Sequence, residues 1–257
     1  MDQIYLSLIT GIFIGGTAGF LGTLMLPKKM TLSADPLSHL ALPGVALALL
    51  YDKSVWLGAF PFVFAGIFLI WFFERKTALS FEALTAVIFS TSVALGFLFL
   101  PIEKAEEALI GDILKINFNE MILAVILSLI ILFIAEKIYK KTTLINISEE
   151  LAISQKINVS KYNLIYLILV GIIIVLGVKM VGGLLTSALV AIPSATSRNI
   201  SKNLVQFKIT AVILGILSSV LGIYLSQITL LPAGPLIIIV GAIIFLLSTI
   251  KKNYFKV

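Results

Sequence analysis

The chain has 257 residues, of which 60% are hydrophobic and 12% charged, against about 25% charged in an ordinary soluble domain. With a mean hydropathy of +1.12, it has too few polar side chains to cover a soluble α/β enzyme and is far too apolar for disorder. Its lack of cysteine excludes disulfides, Cys-ligated zinc and iron–sulfur clusters, and its net charge is +6. The charge does not point to nucleic acid either, because membrane proteins are basic on one side for another reason. What remains is an all-α polytopic membrane protein.

Apolar runs of about 20 residues are needed to cross a bilayer. In chain order the candidates are 4–26, 37–51, 54–73, 82–100, 121–138, 163–180, 182–196, 204–227 and 232–250, which predicts about nine hydrophobic segments and eight to nine spans. The first run has no basic stretch before it, exceeds a signal-peptide core in length and is followed by Lys28 and Lys29, so it reads as a true span. Segments after odd-numbered spans hold 15 of the 19 lysines and arginines, and those after even-numbered spans hold 4. Basic residues stay in the cytoplasm, which places the N-terminus outside and the C-terminus inside. The whole chain, 1–257, forms one transmembrane domain with an outer loop at 101–120 and an inner polar stretch around 140–162. It contains no G-x-x-x-x-G-K-[ST] loop, so any nucleotide that drives it is hydrolysed by another subunit.

Two runs are short and interrupted by proline and glycine: LSHLALPGVALALL, with Pro43 and Gly44, and GGLLTSALVAIPSAT, with Pro193. A proline leaves the carbonyl four residues back without its helical donor. Pro43 thus frees the carbonyl of His39, and Pro193 that of Leu189. Such a carbonyl must find a partner or line a cavity when it lies within the membrane. Paired broken helices of opposite direction point to a substrate site between inverted repeats, so Pro43, Gly44 and Pro193 are expected to line a pathway.

His39 is the only histidine, and Asp35 lies four residues before it. Positions i and i+4 share a helix face, so a carboxylate and an imidazole can converge on one cation. Counting from Lys29 at ~1.5 Å per residue puts His39 near the bilayer centre, where an ionisable group is expensive and functional by default. This donor pair suits Zn²⁺, Mn²⁺ or Fe²⁺ better than an organic solute. In the alternative reading Asp35 caps a helix that begins at Pro36, which takes its carboxylate off that face.

Glu103, Glu106, Glu107 and Asp112 cluster in the outer loop. They attract cations, dock an external protein, or belong to a solvated amphipathic hairpin. Within about 146–158, Ser148 followed by Glu149, Glu150, Leu151 and Ala152 reads as an N-cap and the first turn of a short helix. That helix is either a connector on which an ATPase acts or a surface feature.

Read together, these segments resemble the membrane permease subunits of zinc/manganese/iron ABC importers, the ABC-3 type. SADPLSHLALPGVALALL is similar to that family's D-A-L-S-H-x-x-L-P-G block, and VGGLLTSALVAIPSATSRN to its G-G-x-L-x-x-A-L-x-x-x-P-A-A-x-A block. ISEELAISQKIN resembles its cytoplasmic coupling segment, and LPAGPLIIIVGAIIFLLS its last span. With ALIGDILKIN in the outer loop, the resemblance follows nearly the whole chain in order. It implies a non-enzymatic permease in the cytoplasmic (inner) membrane of a prokaryote. It further implies a homodimer bound to two copies of an ATPase that carries the ATP, and to an extracytoplasmic metal-binding protein. No cofactor is resident, and the metal ion is cargo. By the same resemblance Asp35 and His39 contact the metal, and Glu149, Glu150, Leu151 and Ala152 contact the ATPase. Pro36 stands where alanine is usual, which favours a helix start there. Ser194 stands where the first alanine of Pro-Ala-Ala is usual, a small-for-small exchange. The rival reading is a secondary carrier with Asp35 and His39 as a proton relay and no ATPase.

Overall fold

Six helices are long and apolar enough to cross a membrane, in a computed structural model that describes residues 3–25, 37–77, 79–99, 110–183 and 185–254. The helices are α1 (Gln3–Met25), α2 (Leu42–Leu50), α3 (Val55–Lys76), α4 (Phe81–Phe99), α5 (Phe118–Ile147), α6 (Glu149–Ser154), α7 (Val159–Val181), α8 (Thr186–Ile200), α9 (Leu204–Thr229) and α10 (Ala233–Tyr254). The six long ones are α1, α3, α5, α7, α9 and α10, while 37–50 and 83–99 are shorter apolar stretches. The described residues of the nine apolar runs are mostly helical, interrupted by turns at 40–41 and after 181, and the described residues hold no strand.

Local chemistry sets where the helices begin. Asn117 and Glu120 form a reciprocal capping box at the start of α5, and Asn158 and Asn203 each accept a backbone N–H in the first turn of α7 and α9. Each satisfies one of the donors that a helix start leaves without an internal partner. Gly182 ends α7 at φ 86°, a conformation that a side chain disfavours.

In α1 and α7, 67% and 72% of the apolar span is buried, against 33–39% for the other four long helices. These two are therefore the internal helices, and the others turn an apolar face outward. Lipid supplies little hydrophobic drive between helices, so close packing of small residues takes over. A methyl group at Gly215 of α9 would stand 2.1 Å from the Gly15 carbonyl of α1, and one at Gly19 2.2 Å from the Ala211 carbonyl. The backbones of α1 and α9 thus meet directly.

Side-chain contacts sort the helix ends into two rims. At one rim the Gln3 amide donates to the carbonyls of Leu114 and Ile116, at 2.7 and 2.8 Å. At the other, the Asn146 amide donates to Leu24 O at 3.0 Å, the Trp71 indole to Ser160 at 3.3 Å, and Asn199 to Ser248 at 3.1 Å.

Candidate functional site

His39 is the last of the helical residues described at 37–39. The chain then tightens, with Leu40 N–H on Leu37 O at 3.3 Å and Ala41 N–H on Ser38 O at 3.4 Å, and re-enters helix at α2 with Pro43 in its first turn. This is the break that Pro43 predicts. The freed carbonyl does find a partner: the Ser92 hydroxyl of α4 lies 3.5 Å from His39 O and 3.4 Å from Leu40 O, a long bond shared between two acceptors. The imidazole is buried at 9% exposure and faces the Phe89 ring, with centroids 5.3 Å apart and a tilt of 56°.

The wall behind His39 is one stripe of α4. Thr85, Phe89, Ser92 and Gly96 recur at helical spacing, and Thr85 and Ser92 are buried while the rest of the helix is largely exposed. Sequence reasoning passed over this stripe. Its signal was present, because hydroxyls inside an apolar span mark the face turned to protein. On its other side α2 rests on α3, where Gly44 meets Gly58.

Asp35 lies outside the described residues, as do Glu103, Glu106 and Glu107. Among the described residues no three of His, Cys, Asp and Glu come together. A protein-bound zinc takes three or four ligands, and among the described residues His39 belongs to no group of such side chains of that size.

Pro193 sits inside α8, which continues through it to Ile200. Ser194 is fully buried and returns its hydroxyl to Val190 O and Ala191 O at 3.2 and 2.9 Å. A methyl group at Gly22 of α1 would reach Ser194 Oγ at 2.7 Å, so the serine fills this crossing fully. The break expected at Pro193 is therefore not seen, since α8 is one continuous helix over Thr186–Ile200, and the two proline-bearing segments are not partners within one chain. Residues 42–50 pack principally on α3 and α4, whereas α8 packs principally on α1, α9 and α10.

At the rim that holds Gln3, Asp112 is engaged locally. Its Oδ1 accepts the Leu114 N–H at 3.0 Å, and its Oδ2 lies 3.5 Å from Lys115 Nζ. The cavity beside it, about 230 Å³, is lined by Lys53, Lys115 and Lys179 as well as Asp112. Next to it, Lys179 Nζ and Glu120 Oε1 form a buried ion pair at 2.5 Å, which ties α7 to α5. Sequence reasoning missed this pair too, although Lys179 is a base inside the apolar run 163–180.

At the opposite rim, Ser148 caps α6 by accepting the Leu151 N–H at 3.2 Å. Ala152 is fully buried, while Leu151 and Ile153 are 53% and 59% exposed beside the exposed Glu149 and Glu150. Lys156 closes the helix at φ 58°, with Lys156 N–H on Ile153 O and Ile157 N–H on Ala152 O at 2.8 and 3.0 Å. That pair of bonds is a Schellman cap.

Together, the enclosed apolar helices, the broken helix with its buried imidazole, and the short exposed helix at one rim define a polytopic membrane permease. The chain belongs to the ABC 3 transport family, whose model matches residues 1–252. It is 30% identical to the high-affinity zinc uptake system membrane protein ZnuB of Buchnera aphidicola, over 99% of both chains. It is 28% identical to the manganese import system permease protein ScaB of Streptococcus gordonii, over 97% of this chain and 92% of that protein. The solved structure of PsaBC from Streptococcus pneumoniae in complex with Fab superposes with a TM-score of 0.86 at 25% identity, covering 100% of this chain and 95% of that one. The chain is thus an ABC permease subunit and not an enzyme, and in such systems ATP hydrolysis belongs to a separate subunit. The stand-alone carrier is not favoured.

Proposed function

We propose that this chain forms the membrane pore of an ATP-driven importer of manganese or zinc ions and works by alternating access. The observation that carries the reading is the family match over residues 1–252 together with full-length relatives named for zinc and manganese uptake. Two chains pair across the bilayer of a prokaryotic inner membrane. Two ATPase copies engage α6 through Glu149, Glu150, Leu151 and Ala152, and an extracytoplasmic metal-binding protein delivers the ion to the rim near Asp112.

The shorter stretches 37–50 and 83–99 and the helix α8 join the six long helices as spans, giving eight to nine. In support of a cytoplasmic C-terminus, Arg75, Lys76, Lys140, Lys141, Lys156, Lys161, Arg198 and Lys202 lie toward the rim of α6, against Lys53, Lys115 and Lys179 at the other, as the positive-inside rule requires. Inside the pore His39 replaces part of the ion's water shell as a neutral imidazole, with Asp35 as its companion. The remaining ligands come from the second chain, from carbonyls at the helix break, or from water.

The test is uptake of radiolabelled Mn²⁺, Zn²⁺ and Fe²⁺ by cells that carry the intact transporter with wild-type permease or His39→Ala, at matched membrane abundance. Loss of manganese or zinc uptake in the variant supports the reading and names the cargo. Normal uptake of all three ions by His39→Ala removes His39 from the pathway.

A further inference from the structure

At the rim of α6 a cavity of about 490 Å³ opens between the end of α5, the turn after α6 and the start of α7. Lys140, Lys141, Lys156 and Lys161 all line it, together with Asn158 and Tyr162, and no carboxylate is among the lining residues. Four like charges around one cavity repel each other unless an anion sits among them. The wall is set in place: Lys141 Nζ donates to the Tyr162 hydroxyl at 2.7 Å and stands 5.0 Å from that ring's centroid. Lys156 is held in the left-handed region at φ 58°, a conformation that a non-glycine residue adopts only where its surroundings fix it. The first turn of α7 adds the positive end of a 23-residue helix.

What approaches the cavity identifies the anion. One face of α5 reads Ile126, Ile130, Phe133, Lys137, Lys140, Leu144 at steps of four and three residues, which is one continuous stripe along a helix. Ile126, Ile130 and Phe133 are 50%, 44% and 62% exposed, an apolar track on the outside of the molecule. Lys137 then folds over the Phe133 ring, 4.1 Å from its centroid, and the stripe ends in the cavity at Lys140 and Leu144. The lysines and Tyr162 stand where the apolar runs of α5 and α7 stop, which is headgroup level for a spanning helix.

We propose that this cavity binds the phosphate of an anionic phospholipid headgroup while an acyl chain lies along the Ile126–Phe133 stripe. Basic pockets between spanning helices hold such headgroups. A lipid seated here touches Gln155, Lys156 and Ile157, the turn that closes α6, so its binding bears on the helix offered to the ATPase. The site is independent of which ion the chain carries.

The test uses the full chain in mild detergent and native mass spectrometry, with phosphatidylglycerol and phosphatidylcholine of identical acyl chains as probes. Wild type should retain phosphatidylglycerol in preference to phosphatidylcholine. Lys140→Gln/Lys161→Gln should weaken that retention by about thirtyfold, Lys140→Arg/Lys161→Arg should preserve it, and Lys76→Gln/Lys202→Gln, at the same rim outside the cavity, should leave it unchanged. Equal retention of both lipids, or undiminished phosphatidylglycerol binding in the glutamine pair, overturns the proposal. Inorganic phosphate that displaces the lipid at equal concentration overturns the lipid source in favour of a soluble anion. A glutamine pair that keeps its lipid but releases the ATPase reassigns the lysines to protein docking.

Discussion

Gly44 and Gly58 meet backbone to backbone. A methyl group at Gly44 would stand 2.1 Å from the Gly58 carbonyl oxygen, and one at Gly58 2.0 Å from that of Gly44. This contact holds the helix that follows the His39 break against α3, so the position of the break depends on two residues that have no side chain. Gly44→Ala and Gly58→Ala must push backbone apart, and each should cost roughly 1–3 kcal/mol. The control is Gly16→Ala, whose methyl would have side chains as its nearest neighbours, Ile216 at 3.1 Å and Val212 at 3.5 Å. Thermal unfolding of the purified protein should rank the first two well below the control, and equal midpoints would refute the contact.

Ser92 serves the carbonyls that the proline break leaves exposed. Its bonds to His39 O and Leu40 O are long, at 3.5 and 3.4 Å, and hydroxyl bonds in membrane proteins average only ~0.6 kcal/mol. Ser92→Ala should therefore fold with a small loss of stability and lower metal uptake by loosening the turn at His39. Full uptake at wild-type abundance would show that the carbonyls need no such partner.

The Lys179–Glu120 pair is buried, with side chains 17% and 10% exposed. Removing one member leaves an uncompensated charge, which costs about 3–5 kcal/mol, whereas replacing both is far milder. Lys179→Met should destabilise strongly, and Lys179→Met/Glu120→Gln should recover most of that loss. A double-mutant cycle in thermal unfolding measures this directly, and additive effects would deny the coupling.

Leu151 and Ile153 are exposed apolar side chains on a helix anchored by the buried Ala152. Leu151→Ala/Ile153→Ala should leave folding intact, because neither side chain packs in the core. It should reduce co-purification of the ATPase at least about tenfold, since a few apolar anchors carry most of an interface's energy. Retention of the ATPase at wild-type levels would remove α6 from the coupling role.

Nine apolar runs, one lone imidazole and the break at Pro43 were legible in the chain because lipid demands long unbroken apolar stretches and charges dearly for exceptions, whereas the helix runs unbroken through Pro193. The same logic located the freed carbonyl of His39 from Pro43 alone. The hydroxyl that meets it, Ser92, lies 53 residues on, and nothing in a linear pattern pairs the two. Nor does the pattern show that Pro43 and Pro193 sit in separate parts of the bundle, or that Asp112 already holds Lys115 and the Leu114 N–H. Periodicity and hydropathy are properties of one helix at a time and therefore determine which segments enter the membrane. Which faces then meet is decided by close approach between small residues such as Gly15 with Gly215 and Gly44 with Gly58, and that complementarity exists only once the helices are packed.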